Sequence, residues 1–101
     1  MANRGKTFLV QLGRTGPEWD PALALEEQRG WHAHAEFMDG LVDSGFIVLG
    51  GPLEDEVRVA HVVEAESKDA VRATLARDPW SDTHLRISAI DCWTIRLDGR
   101  R

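Results

Sequence analysis

Residues 31–52, WHAHAEFMDGLVDSGFIVLGGP, decide the fold. At about 100° per residue, Trp31, His34, Ala35, Phe37, Met38, Leu41 and Val42 share one arc of a helix, and His32, Glu36, Asp39 and Asp43 share the opposite arc. Ser44-Gly45 supplies the C-terminal stop. The following FIVLGGP reads as a short buried strand at 46–49 running into a turn at Gly50-Gly51-Pro52. His34 breaks the pattern, because a helix built only for packing would carry Leu or Ile inside its apolar arc. Two readings stay open: a core histidine whose nitrogens are satisfied by neighbours, or an acid/base group oriented by a carboxylate.

Upstream, KTFLVQL at 6–12 alternates, with Phe8, Val10 and Leu12 on one face of a strand. Residues 13–21 contain Gly-Arg-Thr-Gly-Pro and Trp-Asp-Pro and form a loop. It is long for a small domain, and loops of that kind become lids or site walls. The PALALEE segment adds a helical turn before the main helix. Downstream, VRVAHVVEA at 57–65 is a β-branched strand. Ser67 is a good N-cap for a second helix over KDAVRATLAR, with Ala70, Val71 and Leu75 inward. That helix must stop before Pro79, since the residue preceding proline is pushed out of helical geometry. The short loop DPWSD leads to a last strand at 85–97, alternating Leu85, Ile87, Ala89 and then Trp93, Ile95, Leu97.

The order β-α-β-β-α-β predicts an α+β fold of the ferredoxin-like, split β-α-β kind: four antiparallel strands with both helices on one face. The start of the first helix, the Gly51-Pro52 turn, Asp78 at the end of the second helix and the 13–21 loop then share one end. Trp19, Trp31 and Trp80 belong to that end too. A loop-rich, aromatic-rich end holding a histidine and an aspartate is where a small-molecule site is expected.

The 101 residues, 43% hydrophobic, suit one domain, placed at residues 6–98 with tails at 1–5 and 99–101. Twelve basic against seventeen acidic side chains, net −5, argue against nucleic acid or an anionic membrane as partner. No apolar stretch is long enough to span a bilayer, and MANRGKT is not a signal peptide. The lone Cys92 suits a reducing, cytoplasmic setting, and its place in an apolar strand predicts a small buried side chain. Metal binding is not expected: His32 and His34 point about 200° apart on a helix, while His61 and His84 read as isolated structural or surface histidines. No serine or cysteine stands in the setting of a nucleophile.

Taken together, His34 on an amphipathic helix ending at Gly45, Leu49-Gly50-Gly51-Pro52, Asp78-Pro79-Trp80 and Trp93-Thr94-Ile95 resemble, in order and spacing, the YciI-like (YCII-related) family over residues 8–97. The resemblance implies a dimeric α/β-barrel, a homodimer in which protomers pack sheet against sheet. It also implies an active site built on a His–Asp pair, which maps to His34 and Asp78. The family looks related to muconolactone-isomerase-like folds, and its few assigned members include a dehydrochlorinase acting on a chlorinated hydroxyhydroquinone. The expected function is acid–base proton transfer of isomerase or dehydrochlorinase type on a small cyclic or aromatic substrate, without metal or cofactor. Trp31, Gly51, Pro52 and Trp80 would shape the pocket. A carboxylate on one imidazole nitrogen orients the ring and leaves the other nitrogen to move a proton, and backbone N–H groups near Gly50-Gly51 could hold a developing oxyanion. Asp78 also reads as a plain turn residue before proline, and Gly-Gly-Pro as only a turn. The alternatives are a cofactor-free monooxygenase of the dimeric barrel class and a non-catalytic small-ligand-binding module.

Overall fold

The computed structural model describes residues 5–100; residues 1–4 of the expected N-terminal tail, and Arg101, lie outside the described residues. Strict alternation makes β1 (Lys6–Gly13) the centre of the core, with Phe8, Val10 and Leu12 buried. β1 pairs antiparallel with β3 (Arg58–Ala65) on one side and with β4 (Arg86–Cys92) on the other. β2 (Ile47–Pro52) pairs antiparallel with the far edge of β3, giving the strand order β2-β3-β1-β4. Two helices, α1 (Trp31–Asp43) and α2 (Lys68–Leu75), bring Leu41, Val71 and Leu75 to the face that carries Val10, Ile47, Val63 and Ile90. Val10, Val63 and Val71 are completely buried, and each such side chain contributes about 1.5–3 kcal/mol. This α+β arrangement is consistent with the ferredoxin-like expectation.

The helix ends follow their local chemistry. Ser67 caps α2 by accepting the Ala70 N–H at 3.0 Å. α1 ends at Ser44, and Gly45 takes φ +85° just beyond it. The start of α1 has no side-chain cap; Gly30 occupies that position at φ +80°, and a Cβ there would lie 3.2 Å from the Trp80 indole nitrogen. Conformation and proximity both select glycine there.

Five expectations are corrected. Gly50, Gly51 and Pro52 are not a turn: they complete β2, paired with His61, Ala60 and Val59, and residues 53–57 make the reversal, with Glu56 at φ 62°. Proline is tolerated because β2 is an edge strand. The last strand stops at Cys92 rather than 97, although the Trp93 N–H still bonds Thr7 O at 2.8 Å. Within β4 the pairing jumps from Gln11↔Ala89 to Leu12↔Ile87, leaving Ser88 as a bulge; parity changes there, and Ile90 rather than Ala89 enters the core. Cys92 is exposed, as the final residue of an edge strand, and Val42 on α1 is also exposed. Among the described residues no helix is long and apolar enough to cross a membrane.

Candidate functional site

His34 lies one turn into α1, on its inward side, and Asp78 follows α2 in the Asp-Pro-Trp turn. The His34 Nδ1–H donates to both oxygens of the Asp78 carboxylate, at 2.8 Å to Oδ1 and 3.0 Å to Oδ2. A carboxylate only accepts, so the shared proton belongs to Nδ1. Both residues are buried. Oδ1 accepts a further hydrogen bond from the backbone N–H of Trp80 at 2.9 Å. The turn is closed by Asp78 N–H to Leu75 O at 3.1 Å and Ser81 N–H to Asp78 O at 2.9 Å. Asp78 is therefore a turn residue and the histidine's partner at once; the turn geometry aims the carboxylate.

Aromatic rings enclose the pair. Trp80, 2% exposed, stacks on His34 with centroids 4.1 Å apart and on His84 at 4.6 Å. Its Nε1–H donates to Arg29 O at 2.8 Å, tying the Asp-Pro-Trp turn to the residue before Gly30. Trp31 lies 6.0 Å from the His34 ring and 5.9 Å from Trp80. Trp19, from the long loop after β1, meets Trp80 edge-on at 5.9 Å. Arg14 sits over Trp19 at 4.9 Å. Each aromatic pair adds about 0.5–1.5 kcal/mol beyond its burial; the loop contributes Trp19 to the cluster, and none of its residues lines the cavity beside the pair.

A cavity of about 270 Å³ opens between helices and sheet beside the pair, and its walls include Leu12, Met38, His61, Arg72, Leu75 and Asp78. Asp78 is among the residues of the wall and His34 is not. Of the residues expected at the site, His34, Asp78, Trp31 and Trp80 come together. Gly51 and Pro52 do not line the cavity; a Cβ on Gly51 would meet nothing within 4 Å, and Pro52 is exposed. The expected backbone donors at Gly50-Gly51 are strand residues paired with β3.

The sequence reading passed over two histidines. His61 shares the core face of β3 with Val59 and Val63; it is buried, lines the cavity, and its Nδ1 has no hydrogen-bond partner. Burial pushes its pKa below the usual imidazole value, the nearby His34 acts in the same direction, and Asp78 opposes both. The alternation Val59, His61, Val63 was the available signal that this ring points inward. His84 is also buried; its Nδ1 is 3.0 Å from Thr83 Oγ1, its Nε2 has no partner, and burial lowers its pKa as well. Among the described residues no group of three or more His, Cys, Asp or Glu side chains is placed to hold a metal ion. Comparisons of the chain with protein-family models, with curated proteins and with solved structures gave no match.

Proposed function

We propose that this chain is a YciI-like protein that moves a proton on a small cyclic or aromatic ligand, in an isomerase or dehydrochlorinase type of reaction, with the His34–Asp78 pair as its acid/base group. The observation that carries this reading is the buried bond from His34 Nδ1–H to both oxygens of a carboxylate 44 positions away, with Asp78 among the residues that line a cavity. Asp78 accepts the ligand's proton, and His34, bonded to it through Nδ1–H, orients the carboxylate; general acid–base assistance of this kind is worth about 10²–10⁴-fold in rate. The Trp80 N–H on Oδ1 keeps the carboxylate aimed. Proton transfer of this type calls for no cofactor, and a cytoplasmic setting goes with the reading.

The same proposal includes a homodimer. Leu9, Val62 and Leu49 run across the sheet on the face away from the helices, by their pairing parity. Leu49, Trp93 and Ile95 are exposed and share a groove with Val62 on that face. Apolar surface of this kind marks an interaction site, and a second copy packed sheet against sheet would close a dimeric barrel.

That the cavity touches Asp78 and not the His34 ring favours a second reading, a non-catalytic small-ligand-binding module. One experiment separates the two. Incubation of the protein with cyclohexanone or 2-cyclohexenone in D₂O, followed by proton NMR, is expected to show deuterium entering next to the carbonyl, and both His34→Ala and Asp78→Asn should abolish it. Binding of these ketones without exchange supports the binding module, and exchange that survives both substitutions removes the proposed pair.

A further inference from the structure

Gly50 on β2 and His61 on β3 are direct partners across the ladder. A Cβ built on Gly50 would overlap the His61 ring at Nδ1, so only glycine leaves the imidazole its place. Nδ1 is sealed there without a hydrogen-bond partner. A hydrogen on Nδ1 would be driven against the Gly50 Cα and left as an unsatisfied buried donor, whereas a lone pair there can receive a weak Cα–H contact. The neutral ring therefore carries its proton on Nε2, on the far side from Gly50. Nε2 is not among the sealed atoms, and the residue lines the cavity that Asp78 lines. Burial disfavours the imidazolium, which leaves a neutral N–H donor in the wall. Leaving a buried imidazole without protein partners is unfavourable, a cost that Leu or Val at the same inward position would avoid.

We propose that His61 is a further catalytic residue of this site, its Nε2–H donating to the ligand's carbonyl oxygen, and that the substrates are small cyclic carbonyl compounds with a C–H next to the C=O. The inference rests on the His34–Asp78 reading and adds the oxyanion donor that reading lacks. In the step, the C–H bond breaks and its proton goes to the Asp78 carboxylate. The bonding pair becomes a C=C bond, and the carbonyl π pair moves onto oxygen as an enolate held by the His61 N–H. Return of the proton to the far carbon of a conjugated enolate gives isomerisation. Expulsion of chloride from the adjacent carbon, as the oxygen reforms C=O, gives loss of HCl. A neutral donor suits this task, because it stabilises the oxyanion without surrendering its proton.

The test joins a wild-type measurement to variants. Ring ¹⁵N NMR of the wild-type protein is expected to show His61 as the Nε2–H tautomer, and titration with 4-nitrophenolate, a stable oxyanion, is expected to move the His61 Nε2 signal. His61→Leu should weaken 4-nitrophenolate binding at least tenfold and slow cyclohexanone exchange by about 100-fold or more, the usual loss for one oxyanion donor. His61→Gln, which restores an N–H donor, should recover part of both. An Nδ1–H tautomer, an unmoved Nε2 signal, or exchange in His61→Leu within twofold of wild type overturns the proposal, and the first two need no variant to fold. Exchange that needs Asp78 but not His61 sinks only this inference. His61-dependent 4-nitrophenolate binding with no exchange in the wild type sinks the proton-transfer reading and leaves His61 as the oxyanion donor of a binding site.

Discussion

The indole of Trp80 lies flat on the imidazole of His34, centroids 4.1 Å apart and planes 9° from parallel. The backbone N–H of the same tryptophan bonds the carboxylate that His34 bonds. One residue thus orients both members of the pair, its ring restraining the imidazole and its main chain restraining the aspartate. Its Nε1–H bond to Arg29 O carries the restraint back to the start of α1.

Trp80→Ala should cost about 3–5 kcal/mol, the usual range for emptying a buried aromatic site. Trp80→Phe keeps a ring for the stack and loses the indole N–H, leaving Arg29 O unpaired, for about 1 kcal/mol beyond the packing change. Denaturant midpoints of the two variants check this. Equal losses in both would mean that the indole hydrogen bond, not the ring stack, holds the turn.

Asp78→Asn keeps the shape of the turn but offers Nδ1 an amide in place of a carboxylate. The Nδ1–H resonance of His34 should move upfield, and stability should fall by about 1–3 kcal/mol, as expected when a buried charged hydrogen bond is lost. An unchanged resonance would show that the bond seen here is not formed in solution.

The His61 pKa lies below its ordinary value in the folded protein, so near pH 6 the unfolded chain binds more protons than the native state. Stability then falls as pH falls. The contribution is complete above about pH 6.5, the unfolded value, and is lost as pH drops through the folded one. His84 acts in the same direction. Asp55, held at about 2 chiefly by the Arg58 and Val57 backbone N–H groups, titrates below this window. Denaturation between pH 7.5 and 5 should show a slope of at most about 1.4 kcal/mol per pH unit for each imidazole. His61→Leu should flatten the slope without abolishing it.

Gly50→Ala puts a methyl group where the His61 ring lies and should cost about 1–3 kcal/mol through overpacking. In His61→Ala the same substitution should cost much less, so a double-mutant cycle should return a coupling of about 1 kcal/mol or more. Additive effects would mean that the two residues do not constrain each other.

If the open sheet face is a dimer interface, sedimentation at micromolar concentration should give twice the mass of the chain. Leu49→Lys, at a half-exposed position on that face, should shift the protein to monomer with its fold intact. A monomeric wild type removes the dimer.

The sequence by itself determined the α+β class, the order of the elements, the inward face of β1, the Ser67 cap and the Gly45 stop. These depend on neighbours two to four positions apart, and periodicity and capping chemistry record such neighbours directly. It also placed His34 among apolar residues, and the family resemblance implied Asp78 as its companion. Only the tertiary structure decided that Gly50-Gly51-Pro52 is strand, that Ser88 bulges and sends Ile90 inward, and that the cavity is lined by Asp78 and not by His34. It alone sealed one nitrogen of His61 against Gly50. The physical reason is common to all four: register and the approach of one backbone to another are set by partner strands far along the chain, and no local pattern encodes which atom of a ring a distant glycine will cover.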